Sequence, residues 1–341
     1  VDATPAMTAR RLSFVAPGEV TVETGPAPDP GRGELLVETA YSAISSGTER
    51  LVYRGEAPAD LAADETIDAL SGSLEFPLSY GYAAAGTVVA VGDEVPEEWL
   101  ERRVFAYNPH ESHFLASPDD VLEIPPDVSL REATLLATVE TALTFVLDGE
   151  PVIGERVAVF GQGVVGLLTS ALLARSPLEA LVAVEDLPRR RDLAADLGAD
   201  RALPPADAPA AFREATGERA DLVYELSGCP SALDDAVETA GFGGRVVVGS
   251  WYGTNPVTLD LGGRFHRERI RLVSSQVSTI APRHRGRFSR DRRHDLAWTW
   301  LSRLTLEDLF THELPLEDAQ TAYRTLEERP NEAVQVVFDY G

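Results

Sequence analysis

The rhythm of apolar and polar positions changes partway along this chain. In the first third, apolar residues come in short runs over Arg10–Phe14, Glu19–Glu23, Glu34–Ala43, Gly86–Gly92 and Arg103–Ala106. Gly/Pro pairs such as Pro17-Gly18 and Pro30-Gly31 separate them, a pattern that predicts strands and turns. The acidic stretch 55–75 interrupts this pattern and is expected as a helix or loop inserted near the surface. From about residue 133 helical and strand patterns alternate. Ala133–Leu147 has helical spacing. Val157–Phe160, Ala180–Val184, Leu222–Leu226 and Arg245–Gly249 predict strands, and Ser231–Ala240 a helix capped by Ser231. Such alternation predicts an α/β fold with a doubly wound parallel sheet. Pro256–Leu261 reads as an edge strand able to join two copies, so a homodimer is expected. Beyond residue 276, Leu296–Leu304 and Leu316–Glu328 predict helices and Ala333–Asp339 a last strand. This tail does not extend the alternation and is expected to pack back on the first third. The expected organisation is therefore 1–135, 136–275 and a return segment 276–341.

Between the Val157 strand and an apolar helix running to about Arg175 lie Gly161, Gly163 and Gly166, spaced G-x-G-x-x-G. The first glycine permits a tight turn, the second lets backbone approach a pyrophosphate, and the third lets helix and strand pack closely. The helix then opens with Val164 and Val165, and its free N–H groups suit an anion. Glu185 follows the second strand where a carboxylate would accept ribose hydroxyls. It favours NAD(H), because a 2′-phosphate would meet like charge; Arg189, Arg190 and Arg191 keep NADP(H) open.

Composition narrows the class. The chain has 341 residues, 44% of them hydrophobic, enough for two domains. No apolar run reaches membrane-spanning length, and VDATPAMTARRL lacks the apolar core of a signal peptide, so a cytoplasmic protein with no membrane partner is expected. A single cysteine, Cys229, excludes an intrachain disulfide framework and a cysteine-cluster zinc site. Fifty-five acids face thirty bases, all arginine, for a net charge of −25. That balance predicts adaptation to a salty cytoplasm and disfavours nucleic acid. Against it, residues 264–293 hold ten arginines and only two acids, Glu268 and Asp291. Guanidinium forks there, Arg283 among them, are candidates for an anionic substrate; salt bridges to the protein's own carboxylates are the alternative.

Further stretches carry a resemblance: Ile44-Ser45-Ser46-Gly47-Thr48-Glu49, Tyr80-Gly81-Tyr82-Ala83-Ala84-Ala85-Gly86, Leu197-Gly198-Ala199, Asp221–Glu225 and Thr311–Leu316. With the glycine turn, they resemble the medium-chain dehydrogenases/reductases, the superfamily of zinc alcohol dehydrogenases and quinone reductases, over nearly the whole chain. Val139-Glu140-Thr141-Ala142 and Val273-Ser274-Ser275-Gln276 look like a branch near the bacteriochlorophyllide dehydrogenases. The resemblance implies a GroES-like catalytic domain made from both ends of the chain, a Rossmann cofactor domain, and an active site in the cleft between them. It also assigns Thr141, Gly249 and Ser275 to the cofactor.

The chain departs from that family where zinc would bind. The ligand positions fall on Ser46, Tyr82 and Ala137, none a credible zinc ligand, so no metal is expected. Thr48 matches the family's proton-passing hydroxyl, and Tyr82 is a candidate acid or donor to a carbonyl oxygen. Glu140 is either a base of raised pKa or the partner of an arginine. Glu49 resembles a carboxylate that orients a ligand histidine; with Ser46 and His110 it is a candidate for substrate contact. His113 is a candidate relay. These residues predict a zinc-independent oxidoreductase moving hydride between NAD(P)(H) and a small alcohol or carbonyl. Reduction of an activated C=C bond and nucleotide binding without turnover remain the alternatives.

Overall fold

A computed structural model describes residues 7–64 and 66–341. In chain order its strands are β1 (Thr8–Ala16), β2 (Glu19–Pro26), β3 (Leu35–Ala43), β4 (Ala84–Val91), β5 (Arg103–Ala106), β6 (His113–Ala116), β7 (Val121–Glu123), β8 (Arg156–Phe160), β9 (Ala180–Val184), β10 (Arg201–Leu203), β11 (Ala220–Glu225), β12 (Ala240–Val248), β13 (Arg271–Ser274), β14 (Phe310–Pro315) and β15 (Gln335–Asp339). The helices are α1 (Thr48–Arg54), α2 (Leu130–Ala133), α3 (Leu136–Gly149), α4 (Val164–Leu173), α5 (Pro188–Asp196), α6 (Ala208–Thr216), α7 (Ala232–Thr239), α8 (Arg290–Leu301) and α9 (Ala319–Glu328). Contacts divide the chain into one unit of residues 1–137 and 298–341 and a second of 138–297, so 276–297 cluster with the second.

The first unit is built on a sheet of order β14-β15-β3-β4-β5-β7, with β6 also paired to β3, and a separate β1-β2 ribbon. One core packs α1 and α9 against the ribbon through Leu12, Phe14, Leu51, Val52, Tyr323, Leu326 and Phe338. The acidic stretch 55–75 is mostly exposed loop, as expected, with one short 3-10 turn, and Leu70 and Leu74, 2% and 4% exposed, anchor it in that same core. Its acids mask a few well-spaced apolar anchors.

The second unit is a six-stranded parallel sheet of order β10-β9-β8-β11-β12-β13. The central strands carry unbroken apolar runs at Val157–Phe160 and Leu181–Val184, as burial on both faces requires; Val157, Ala158 and Val159 are fully buried. Chain order reverses between β8 and β11, and such folds bind ligands at the carboxyl ends of the strands beside that reversal. The expected strand over Pro256–Leu261 does not form. That segment is irregular and leads into a π-helical turn, Leu261–Phe265, and β13 is the edge instead. Helix α7 begins one residue after Ser231, but the Ser231 hydroxyl meets Cys229 Sγ and makes no cap bond. No helix among the described residues is long and apolar enough to cross a membrane.

Candidate functional site

At the carboxyl ends of β8 and β9 the second unit forms a cradle. Gly161 turns the chain at φ +85°, where a side chain would be strained, and an added Cβ would lie 2.4 Å from Ser227 Cα. At Gly166 the obstacle is Gly161 O, 1.9 Å away. These two glycines hold β8, β11 and α4 together. Gly163, the N-cap of α4, differs: around its missing Cβ the nearest atom is Arg190 Nη1 at 4.0 Å. That open face lies over the first-turn N–H groups of α4, at Val164 and Val165, which lack intrahelical acceptors. A space beside a helix N-terminus, with a guanidinium at its rim, fits a dinucleotide pyrophosphate.

Glu185 follows β9 and is 8% exposed. Its carboxylate accepts Gln162 N at 2.6 Å and Leu187 N at 3.0 Å. It thus pins the glycine turn, and a carboxylate has about four acceptor positions, leaving room for ribose hydroxyls. Gly249 and Ser275 follow β12 and β13 at the same edge. A Cβ on Gly249 would meet Phe145 at 2.5 Å, while Ser275 Oγ donates to Asp148 at 2.6 Å. Sequence reasoning missed Glu225, fully buried at the end of β11. It accepts Ser227 N at 2.9 Å and bonds the Tyr252 hydroxyl.

Helix α3 carries Thr141, half-buried, beside Glu140. Of the two readings of Glu140, arginine pairing is the one observed. Arg293 Nη2 and Nε lie 2.7 and 2.9 Å from its Oε1, and His294 Nε2 lies 3.2 Å away. One and two turns on, Thr144 Oγ1 lies 3.1 Å from Arg293 Nη1, and Asp148 takes Ser275 and Arg283. Arg283, a candidate for substrate, is therefore committed to Asp148 and Glu150, and Arg264 to Glu238 and Glu268. Within the basic segment the internal salt bridges predominate at these positions.

In the first unit, β3 delivers Ser45 and Ser46 to the start of α1, which begins at Thr48. The phenol of Tyr82 is hydrogen-bonded to Ser45 Oγ, with Thr48 Oγ1 at 3.3 Å. Burial pushes the phenol pKa up to about 12, and the bonds to Ser45 and Thr48 pull it back only in part. At neutral pH the group is a hydrogen-bond donor. Below it Glu49, fully buried, accepts Ser45 N at 2.7 Å, Tyr323 OH at 2.5 Å and His110 Nε2 at 3.0 Å. His113 is elsewhere: its Nδ1 bonds Ser112 Oγ at 3.0 Å and its Nε2 lies 3.6 Å from Glu38. The structure thus joins Thr48, Tyr82, Glu49 and His110, and leaves His113 apart. Ser45 and Tyr323 escaped the sequence reading; nothing in the chain marks a tyrosine 274 positions away as the partner of Glu49.

Ser46, Tyr82 and Ala137 offer neither thiolate nor imidazole, and the Tyr82 oxygen is engaged with two hydroxyls. Among the described residues no three His, Cys, Asp or Glu side chains converge as a metal site would need. This donor set does not fit a zinc ion.

Comparison with known proteins places the chain. The model for "Zinc-binding dehydrogenase" matches residues 164–289, from the start of α4 through β9–β13 and the helices between them. Over that stretch, which lies within the second unit, the chain is similar to the zinc-binding dehydrogenases. Among curated relatives, the D-guloside 3-dehydrogenase of Escherichia coli K12 is 22% identical, covering 89% of this chain and 92% of its own. The 2-desacetyl-2-hydroxyethyl bacteriochlorophyllide A dehydrogenase of Rhodobacter capsulatus is 25% identical over 95% and 96%. Solved zinc-binding dehydrogenase folds superpose over almost the full length. The alcohol dehydrogenase RspB of E. coli CFT073, complexed with NADH, has a TM-score of 0.79 at 18% identity, covering 98% of this chain and 99% of its own. A zinc-binding dehydrogenase of Sinorhizobium meliloti 1021 bound to NADP has a TM-score of 0.77 at 19% identity, with 97% and 99% covered. The likeness to solved structures gives the fold, a two-part α/β architecture, GroES-like and Rossmann, and the relatives named here are dehydrogenases.

Proposed function

We propose that this zinc-binding dehydrogenase relative oxidises a small secondary alcohol or polyol, or reduces the matching carbonyl, without zinc. The observation that carries the reading is the Tyr82–Ser45–Thr48 hydroxyl cluster, centred on Tyr82, a position that the resemblance gives to a metal ligand. The dinucleotide, when bound, supplies or accepts the hydride. In carbonyl reduction Tyr82, protonated at neutral pH, gives its proton to the substrate oxygen and is reprotonated through Ser45 and Thr48. In alcohol oxidation the proton runs the other way, from the substrate hydroxyl to the phenol oxygen as the phenol proton leaves through Ser45 and Thr48 toward water. NAD(H) is the preferred cofactor in this reading, because Glu185 puts a carboxylate beside the adenosine ribose. Arg283 is given no substrate role in this reading, because its pairing with Asp148 and Glu150 favours the salt-bridge alternative. A cytoplasmic homodimer belongs to the same proposal.

The test is turnover of (R,R)-2,3-butanediol and D-sorbitol with NAD⁺ by protein purified without chelators, with metal content measured on the same sample. Tyr82→Phe should lower kcat by about 10²- to 10⁴-fold, the usual worth of a positioned proton donor, with NADH binding unchanged. Stoichiometric zinc that activity requires, or a fully active Tyr82→Phe, would refute the proposal. Deuterated cofactor should leave its label on the carbinol carbon; label β to a retained carbonyl would instead establish C=C reduction.

A further inference from the structure

Beneath Tyr82 the first unit buries a polar chain that the reaction above does not use. Tyr340, Ser42, His110, Glu49 and Tyr323 come from β15 and its end, β3, the loop before β6, α1 and α9. Glu49, His110 and Ser42 are all fully buried. Tyr340 OH lies 2.8 Å from Ser42 Oγ, and Ser42 Oγ 2.7 Å from His110 Nδ1. One proton assignment satisfies every bond: Tyr340 donates to Ser42, Ser42 to His110 Nδ1, and His110 Nε2–H to Glu49. Glu49 then accepts three donors, counting Ser45 N and Tyr323 OH. Three donors converging on one buried carboxylate fix its orientation.

This chain of bonds reaches Tyr82 by two routes. Glu49 Oε1 fixes Ser45 N, and Ser45 Oγ bonds the phenol. The His110 ring packs against the backbone of Gly81, the residue before Tyr82. A Cβ there would lie 2.7 Å from both Cδ2 and Nε2, and Gly81 sits at φ +116°. The glycine lets the ring close on the main chain.

We propose that Glu49 and His110 are positioning residues of Tyr82. Together they set the phenol from both sides, through Ser45 and through Gly81, as a metal's ligand shell would otherwise have done. The inference rests on the reading of Tyr82 as the group that meets the substrate oxygen.

Fluorine NMR of protein made with 3-fluorotyrosine tests the geometry without any substrate. The chain has nine tyrosines, and Tyr82→Phe and Tyr323→Phe assign the two signals of interest. Glu49→Gln should shift or broaden the Tyr82 signal, while His110→Gln, which keeps an amide donor toward Glu49, should restore it relative to His110→Leu. Leu12→Ala, a cavity in the same core, should lower thermal stability and leave the signal in place. If Glu49→Gln moves the Tyr323 signal and not that of Tyr82, or if Leu12→Ala moves Tyr82 equally, the proposal is overturned. Should Glu49→Gln fail to fold, Tyr323→Phe strips one donor from the same carboxylate, and the Tyr82 signal is read in the same way. A kinetic cycle with (R,R)-2,3-butanediol supplies the functional arm. Glu49→Gln should lower kcat about tenfold when Tyr82 is present and have no effect in Tyr82→Phe, as coupling within one network requires. Equal losses in both backgrounds overturn the positioning role. An unchanged kcat in Tyr82→Phe alone would instead defeat the proposed function, and the fluorine spectra would still decide the geometry.

Discussion

Replacing Gly163 by alanine separates binding from folding. At φ −66° and ψ −179°, Gly163 has a backbone conformation open to any residue. Its added Cβ meets nothing closer than Arg190 Nη1 at 4.0 Å. Alanine there restricts the unfolded chain and should stabilise the protein by about 0.4–1 kcal/mol. A pyrophosphate oxygen bonded to the α4 N–H groups would come within about 3 Å of the backbone, where the methyl group now sits. Displacing it by an amount comparable to overpacking costs about 1–3 kcal/mol. At 1.4 kcal/mol per tenfold, that is a loss of about 5- to 140-fold in NADH affinity. Gly166→Ala should behave in the opposite way, because its Cβ would lie 1.9 Å from Gly161 O and must force α4 off β8. Fluorescence titration with NADH, alongside thermal denaturation, reads both quantities. If Gly163→Ala bound NADH as tightly as the parent, or melted below Gly166→Ala, the cradle would have been assigned to the wrong face of the turn.

Arg293→Met should destabilise the second unit by about 3–5 kcal/mol, because it removes the guanidinium that pairs with Glu140, a carboxylate only 3% exposed. Urea denaturation measures the loss, and Glu140→Leu added to Arg293→Met should recover most of it; a single variant within 0.5 kcal/mol of the parent contradicts the burial argument (about the noise of additive surface changes). His113 should give a pH signature. Burial lowers its pKa from 6.5, with the Glu38 charge opposing in part. The unfolded chain therefore takes up the proton first, so stability is full above pH 6.5 and declines as pH falls below it. His113→Asn should flatten that acid limb in melts between pH 7 and pH 5, and an unchanged limb would assign it to other groups.

The alternating half of the chain was legible because local signals sufficed. The apolar runs at Val157 and Ala180 and the three glycines each act on neighbours in sequence, and the strands fell where expected. Helices α5 and α6 and strands β10 and β13 were not foreseen. Helix α5 buries only Ala194, and α6 only Ala208 and Phe212, too few positions for a period to register. The stretch 55–75 is the surface loop expected, but its tie to the core through Leu70 and Leu74 was hidden among its acids. At the candidate site, Thr48 and Tyr82 could be named from local motifs. Their surroundings could not, since Glu49 meets Tyr323 and Ser42 meets Tyr340 only after the two ends of the chain share a sheet. For the same reason the choice between a free Glu140 and a paired one needed the fold: Arg293 is 153 positions away.

The ladder on α3 has an engineering consequence. Glu140, Thr144 and Asp148 recur every four residues, about one helical turn, so they line up as rungs along one face. Residues 275–293 grip all of them. Helix and arm therefore form a single interchangeable cassette. A chimera that imported α3 from another dehydrogenase while keeping this arm would strand the guanidinium groups of Arg283 and Arg293, whereas moving the two segments together would carry their counter-charges along.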